Sequence, residues 1–419
     1  MHPHRAFIAL APFAAGLALL TGCGAPPQAA PTITGHENVK PANAKEQAGP
    51  APRLVLTTDQ GLLTLDAKTL QPVAEPVPLE GFIRVNPAGD GRHVLVSTER
   101  GFEAFDAGSW EFPHGDHSHF YTVPPRLTGA VFPAEHPGHV VSHGKTALFA
   151  DGTGEITVFD PADLDPGSAA NGQPASTKTR TPEPHHGVAV PLPDGGLLST
   201  RSNGKERVGV TIHGQNGGET TSAENCPGTH GEAVAGNGAV VVGCSDGALV
   251  YHGGKLSKVQ APDAYGRIGN QSGSSNSPIV LGDYKVDRAA KLERPTRVSL
   301  IDTRDSSLKH VDLGTSYSFR SLGRGPAGEA LVLGTDGRLH VIDPETGTVQ
   351  HRIQVTPAWT EPEVWQEARP ALYVDGATAY VSDPGTRKIH AVDLAAGQVA
   401  KTAGLPAAPN ELTGISGRK

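Results

Sequence analysis

The chain has 419 residues and a formal net charge of −8 with no block of Lys or Arg, which argues against an electrostatic hold on nucleic acid. Gly (52) and Pro (36) are abundant and no stretch carries a convincing helical period, so short Val, Leu, Ile and Thr runs between turn signals mark an all-β chain. The single Met is Met1, so a chain that has lost its leader has no thioether with which to bind copper.

Residues 1–23 read as a lipoprotein signal peptide ending in a lipobox. One Arg near the start is followed by an apolar run over residues 6–20, too short to span a bilayer comfortably, and then by Leu20, Thr21, Gly22 and Cys23. Lipidation of Cys23 would tie the mature protein to the outer face of the cytoplasmic membrane. Residues 24–52 are rich in Ala, Pro and polar side chains and are expected to be a disordered tether, leaving residues 53–419 as a single domain.

A repeat decides the architecture of that domain. Residues 54–66, 94–106, 147–160, 330–343 and 379–393 share one plan: an apolar strand, a Gly-bearing turn, and an alternating strand ending in Asp66, Asp106, Asp160, Asp343 or Asp393. A spacing near 40 residues with this hairpin is the mark of a β-propeller. Blade cores are expected at residues 53–79, 82–124, 139–164, 186–222, 230–259, 268–313, 319–355 and 371–405. Eight blades result, or seven if part of 270–302 is an insertion. The first blade lacks an inner strand, which residues 412–416 are placed to supply, closing the ring with both chain ends.

With Cys23 assigned to lipid, Cys226 and Cys244 remain, and an even pair in an oxidising compartment favours one disulfide, worth ~3 kcal/mol for so short a loop. A pair of thiolate zinc ligands is the alternative, weakened by the absence of paired Cys-x-x-Cys spacing.

Histidine carries the chemistry. Of 19 in the chain, six crowd between His114 and His143. Closely spaced imidazoles can fill several positions of a Zn(II) shell. His139, His186 and His230 each precede the apolar inner strand of consecutive blades, so they are expected to converge at one mouth of the central channel. His114, His117 and His119 lie on the connection 110–138, which is expected to fold over the same mouth and offer further imidazoles. Asp116 would ligate, orient a neighbouring imidazole, or simply turn the chain. His143 and His185 are read as structural, and His93, His213, His252, His310, His340, His351 and His390 as ordinary.

Two other classes compete with a metal carrier. One is a propeller hydrolase or lactonase with an open zinc or calcium position. Against it, the chain has no nucleophile elbow, no H-E-x-x-H motif and few carboxylates beside the histidines, Glu232 and Asp116 excepted. Three Trp are too few for a quinone-stacking dehydrogenase. The other is a non-catalytic surface lipoprotein that binds a protein through its propeller faces.

Residues 114–119, 137–143, 184–190 and 226–233 together resemble the AztD-type periplasmic zinc metallochaperones, a likeness that spans essentially the whole propeller. The resemblance implies a propeller that binds Zn(II) and passes it directly to the solute-binding protein of a zinc ABC transporter. The chain is expected to act as a monomer and without enzymatic turnover. The resemblance also implies that Cys226 and Cys244 match the family's cysteine pair. The lipid anchor is a departure from the soluble members. On this reading the mouth histidines hold the metal while residues 114–119 hand it over.

Overall fold

The computed structural model describes residues 43–164 and 172–419. The signal peptide, Cys23 and most of the expected tether lie outside the described residues. No helix among the described residues is long and apolar enough to cross a membrane.

The repeat folds as small antiparallel sheets arranged as the blades of a β-propeller. In one of them Tyr317–Arg324, Ala330–Gly334, Arg338–Ile342 and Val349–Gln354 pair in chain order. The middle two strands are buried along both faces except at Arg338, whereas the fourth is largely exposed. That gradient is what stacking blades against one another requires, since both faces of the inner strands must be apolar. In the repeats that end the third strand in Asp, that side chain caps the turn that follows. Asp343 accepts from the amides of Glu345 and Thr346, and Asp393 from those of Ala395 and Ala396. Gly opens the third strand for a steric reason. At Gly101 φ is 123°, and a Cβ there would strike the carbonyl of Phe132 on the outer strand.

Among the described residues eight sheets follow this plan, the one that joins the chain ends with three strands. The stretch left open as an insertion forms one of its own, from Gln271–Ser272, Ile279–Asp283, Arg297–Asp302 and Ser307–Asp312. Ring closure is as expected: Leu412–Ile415 pairs with Arg53–Thr58, with Arg53 opposite Ile415. An apolar cluster including Leu54, Leu56, Tyr380 and Ile389 joins the first and last sheets. Each fully buried Leu in that seam contributes ~2 kcal/mol.

Antiparallel connectivity fixes two faces. Every innermost strand begins, and every second strand ends, at one face, here the near face; the turn from third to fourth strand lies at the far face.

Two expectations need correction. The folded part reaches further toward the N-terminus than residue 53, because Lys45–Gln47 forms a short strand. It pairs with His117–Thr122, which pairs in turn with Ser109–His114. The stretch 110–138 is therefore not a loop over the channel mouth. It is this hairpin, followed by the outer strand Arg126–Pro133 of the second sheet. Because the hairpin is inserted after the third strand, Gly101–Asp106, it leaves the propeller at the far face. Arg53 holds its base by donating from Nη1 to the carbonyls of Ala107 and Val123, and the Arg92 guanidinium lies 4.2 Å from the centre of the Trp110 ring.

Candidate metal centres

The inner strands bring His139, His186 and His230 together at the near face. Pro137–His143 carries a bulge between Pro137 and Val140, and His230–Val234 another between His230 and Glu232. Gly231, at φ 68°, makes the second bulge possible. The first bulge takes His139 out of the regular ladder, and the second leaves Gly231 unpaired directly after His230, which stays opposite Gly243. His186 stands just before Ala189–Pro191. The ring centroids lie 4.7 Å apart for His139 and His186, 5.0 Å for His186 and His230, and 5.5 Å for His139 and His230.

Each ring is braced from a neighbouring blade through Nδ1. His139 donates to the Gly187 carbonyl at 2.9 Å, His230 to the Gly269 carbonyl at 2.6 Å, and His186 to Asp151 Oδ2 at 2.5 Å. Nδ1–H on one side fixes Nε2 as the free acceptor on the other. One ligand nitrogen from each of the three lies within 4.8 Å of the others, and the Nε2 atoms of His186 and His230 are 3.1 Å apart. Two unprotonated acceptors that close repel unless a proton or a cation sits between them. A tetrahedral zinc shell places its nitrogens about 3.4 Å apart.

Electrostatics favours neutral imidazole here. Burial first, then the charges of His230, His186 and Arg84, hold His139 well below the usual histidine range. Burial also pushes His230 down to about 3, against the opposing pull of the Gly269 carbonyl.

The hairpin builds a second, separate group. His114 lies opposite His117, and Phe112 opposite His119, so all three imidazoles project from one face of the hairpin. His117 Nδ1 meets Asp116 Oδ1 at 3.1 Å, and His119 Nδ1 meets Glu46 Oε1 at 2.8 Å. Their Nε2 atoms are again 3.1 Å apart, and the three ligand nitrogens fall within 4.8 Å of one another. Asp116 thus orients His117 rather than serving only as a turn. The six expected ligands divide into two groups on opposite faces, not one shared shell.

Other sequence readings fare as follows. His185 turns away from the mouth, bonded to the Glu183 carbonyl and Thr200 Oγ1, and His143 meets the Pro191 carbonyl. Cys226 and Cys244 form a disulfide. It ties the segment leading to His230 onto the strand Val240–Cys244 behind it. Glu232 lines the channel below the mouth without touching the imidazoles. Sequence reasoning missed Asp151, which reads as a turn residue beside Gly152, and Glu46, which sits in what reads as tether. The repeat alone held a signal for Asp151: it lies in the turn between second and third strands, and every such turn faces the mouth.

No family model matches the chain. The zinc chaperone AztD of Citrobacter koseri is 27% identical over 291 residues, covering 67% of this chain and 66% of the relative, just under two thirds of its length. The chain resembles AztD. The crystal structure of Citrobacter koseri AztD superposes with a TM-score of 0.74 at 23% identity, covering 88% of this chain and 98% of that one. The apo form of that AztD gives 0.73 at 22% over the same shares. The dihydro-heme d1 dehydrogenase NirN, in complex with DHE, superposes at 0.57 with 13% identity, over 89% of this chain and 77% of its own. At these identities the structural likenesses show the propeller fold.

Proposed function

We propose that this chain is an extracytoplasmic zinc metallochaperone, held at the outer face of the cytoplasmic membrane by lipid on Cys23. As a monomer it passes Zn(II) to the solute-binding protein of a zinc ABC transporter. One observation carries the reading: His139, His186, His230, His117 and His119 each have Nδ1 engaged by an acceptor, and in each group one pair of Nε2 atoms lies 3.1 Å apart. The relative's name, zinc chaperone, points to the same cargo.

His139, His186 and His230 hold the ion at the near face, with the fourth position left for an incoming ligand from the acceptor. Delivery then runs by exchange, acceptor groups entering as imidazoles leave. The four large apolar side chains most exposed among the described residues, Phe82, Val286, Val364 and Trp365, stand on loops of this same face, where an acceptor must approach. His114, His117 and His119 form a separate store on the far face and so do not cover the mouth. Asp151, the carboxylate at the mouth, is committed to His186 Nδ1 and the Gly187 amide, which suits holding a ligand in place better than activating water.

The experiment is metal analysis of the purified mature protein, then mixing with the zinc-free solute-binding protein and following the zinc. Movement of zinc to the acceptor faster than to a chelator of equal affinity supports direct transfer. Equal rates would reduce the protein to a zinc store.

A further inference from the structure

The hairpin group has a fourth participant from outside the propeller. Lys45–Gln47 is the edge strand of the three-stranded far-face sheet, with Glu46 directly opposite Tyr121. Residues opposite one another in an antiparallel pair share a face, and so do residues two apart on one strand. Glu46 therefore stands on the face that carries Tyr121, His119 and His117. Its carboxylate accepts from His119 Nδ1 at 2.8 Å, half-exposed and without crossing a blade. Gln47 points the other way, to Thr122 Oγ1.

A three-residue edge strand is weakly held by its own ladder. Alongside Gln47 on Thr122, the bond from Glu46 to an imidazole helps fix it here, and that bond also dictates which nitrogen of His119 is free. The two roles are one contact: a metal on Nε2 makes Nδ1–H a stronger donor, and a stronger donor holds the strand more tightly.

We propose that Glu46 is a positioning residue for the hairpin metal group, and that metal binding there locks Lys45–Gln47 onto the hairpin. Occupancy of the far face would thereby be transmitted to the chain segment immediately before the propeller. The coupling rests on the metal reading of the hairpin and is independent of the near-face site.

The test uses the mature protein carrying H139A, H186A and H230A, with zinc alone as the probe. Chelator competition reads hairpin affinity, and hydrogen–deuterium exchange of residues 43–50 reads the strand. If that background does not fold, the native chain serves, with hairpin zinc taken by difference against a variant carrying H114A, H117A and H119A. Glu46→Ala should weaken hairpin zinc by about ten- to a hundred-fold. Zinc should slow exchange over 43–50 in the parent and not in Glu46→Ala. Glu46→Gln, whose amide oxygen can still accept, should keep part of both effects. Hairpin zinc that binds equally well without Glu46, or that leaves exchange over 43–50 unchanged, overturns the coupling alone. A parent hairpin that binds no zinc overturns the metal reading of the hairpin and the coupling with it.

Discussion

The two histidine groups have the same inner geometry and opposite surroundings. At the mouth, two of three rings are braced by neutral carbonyls and one by Asp151, each from an adjacent blade, and His139 and His230 are driven toward the neutral form by burial. On the hairpin, two rings are braced by carboxylates within one exposed sheet. A cross-blade brace cannot relax without moving a blade, so the mouth is preorganised and closed to protons. The hairpin gains its affinity from charge, which raises imidazole basicity but is screened by water and salt. The contrast separates a rigid, preorganised site from an exposed one that is sensitive to salt.

The comparison breaks most directly by removing each group in turn. Substituting His139, His186 and His230 together by Ala should abolish the tighter class of zinc binding, and substituting His114, His117 and His119 the weaker, each with loss of one equivalent in equilibrium dialysis. Loss of both classes from either variant would mean a single shared shell. Raising salt should weaken only the hairpin class.

Next in size is the disulfide, which lies behind His230 and far from the hairpin in the connectivity. Replacing Cys226 and Cys244 by Ala removes a link of sequence separation 18, which should lower stability by ~3 kcal/mol in urea titration. Mouth affinity should fall with it and hairpin affinity should not; parallel loss at both would remove the claim that this link serves the mouth.

The architecture was legible because its signal is periodic. Five copies of a strand, a Gly turn and an Asp-terminated strand report the same turn chemistry, seen directly at Asp66, Asp343 and Asp393. The convergence of His139, His186 and His230 was legible for the same reason, since equivalent positions on adjacent blades must meet. The hairpin was not. Whether the chain after Asp106 turns at once into its outer strand or first makes an extra hairpin depends on which segment wins the sheet edge, and Arg126–Pro133 is no more strand-like than Ser109–His114. Misreading that step sent the second group to the wrong face. Glu46 was hidden because composition cannot show that a polar segment finds an edge to pair with.

A smaller effect is expected at Asp151. Asp151→Ala should weaken mouth zinc by about ten-fold or more, and Asp151→Asn by less, because an amide oxygen still accepts from His186 Nδ1. Chelator competition on a background lacking the hairpin histidines reads this cleanly. If Asp151→Asn equals the native protein, orientation is the whole contribution of Asp151 and its charge adds nothing.

The smallest effect comes from beneath the mouth, where Glu232 lines a cavity of about 440 Å³ with Asn86, Val141, Ser142, Val234 and Ser274. Glu232 is half-buried, packed among protein groups and bordering the cavity. Burial pushes it up to about 8 from an ordinary 4.5. Folded protein then keeps a proton that unfolded chain has released, so this group's contribution is present below about 4.5 and is lost as pH rises toward 8. His139 and His230 act with the opposite sign: their depressed values make zinc-free protein gain stability as pH rises toward about 6.5, where the gain is complete. The two trends oppose one another between about 4.5 and 6.5, and only their difference on substitution separates them. In zinc-free protein, Glu232→Gln should stabilise at pH 9 by on the order of 1–2 kcal/mol, reduced from the full shift by water in the channel, and do little at pH 4. A gain equal at both pH values would mean the substitution acts through packing and that burial does not raise the carboxyl beneath the mouth.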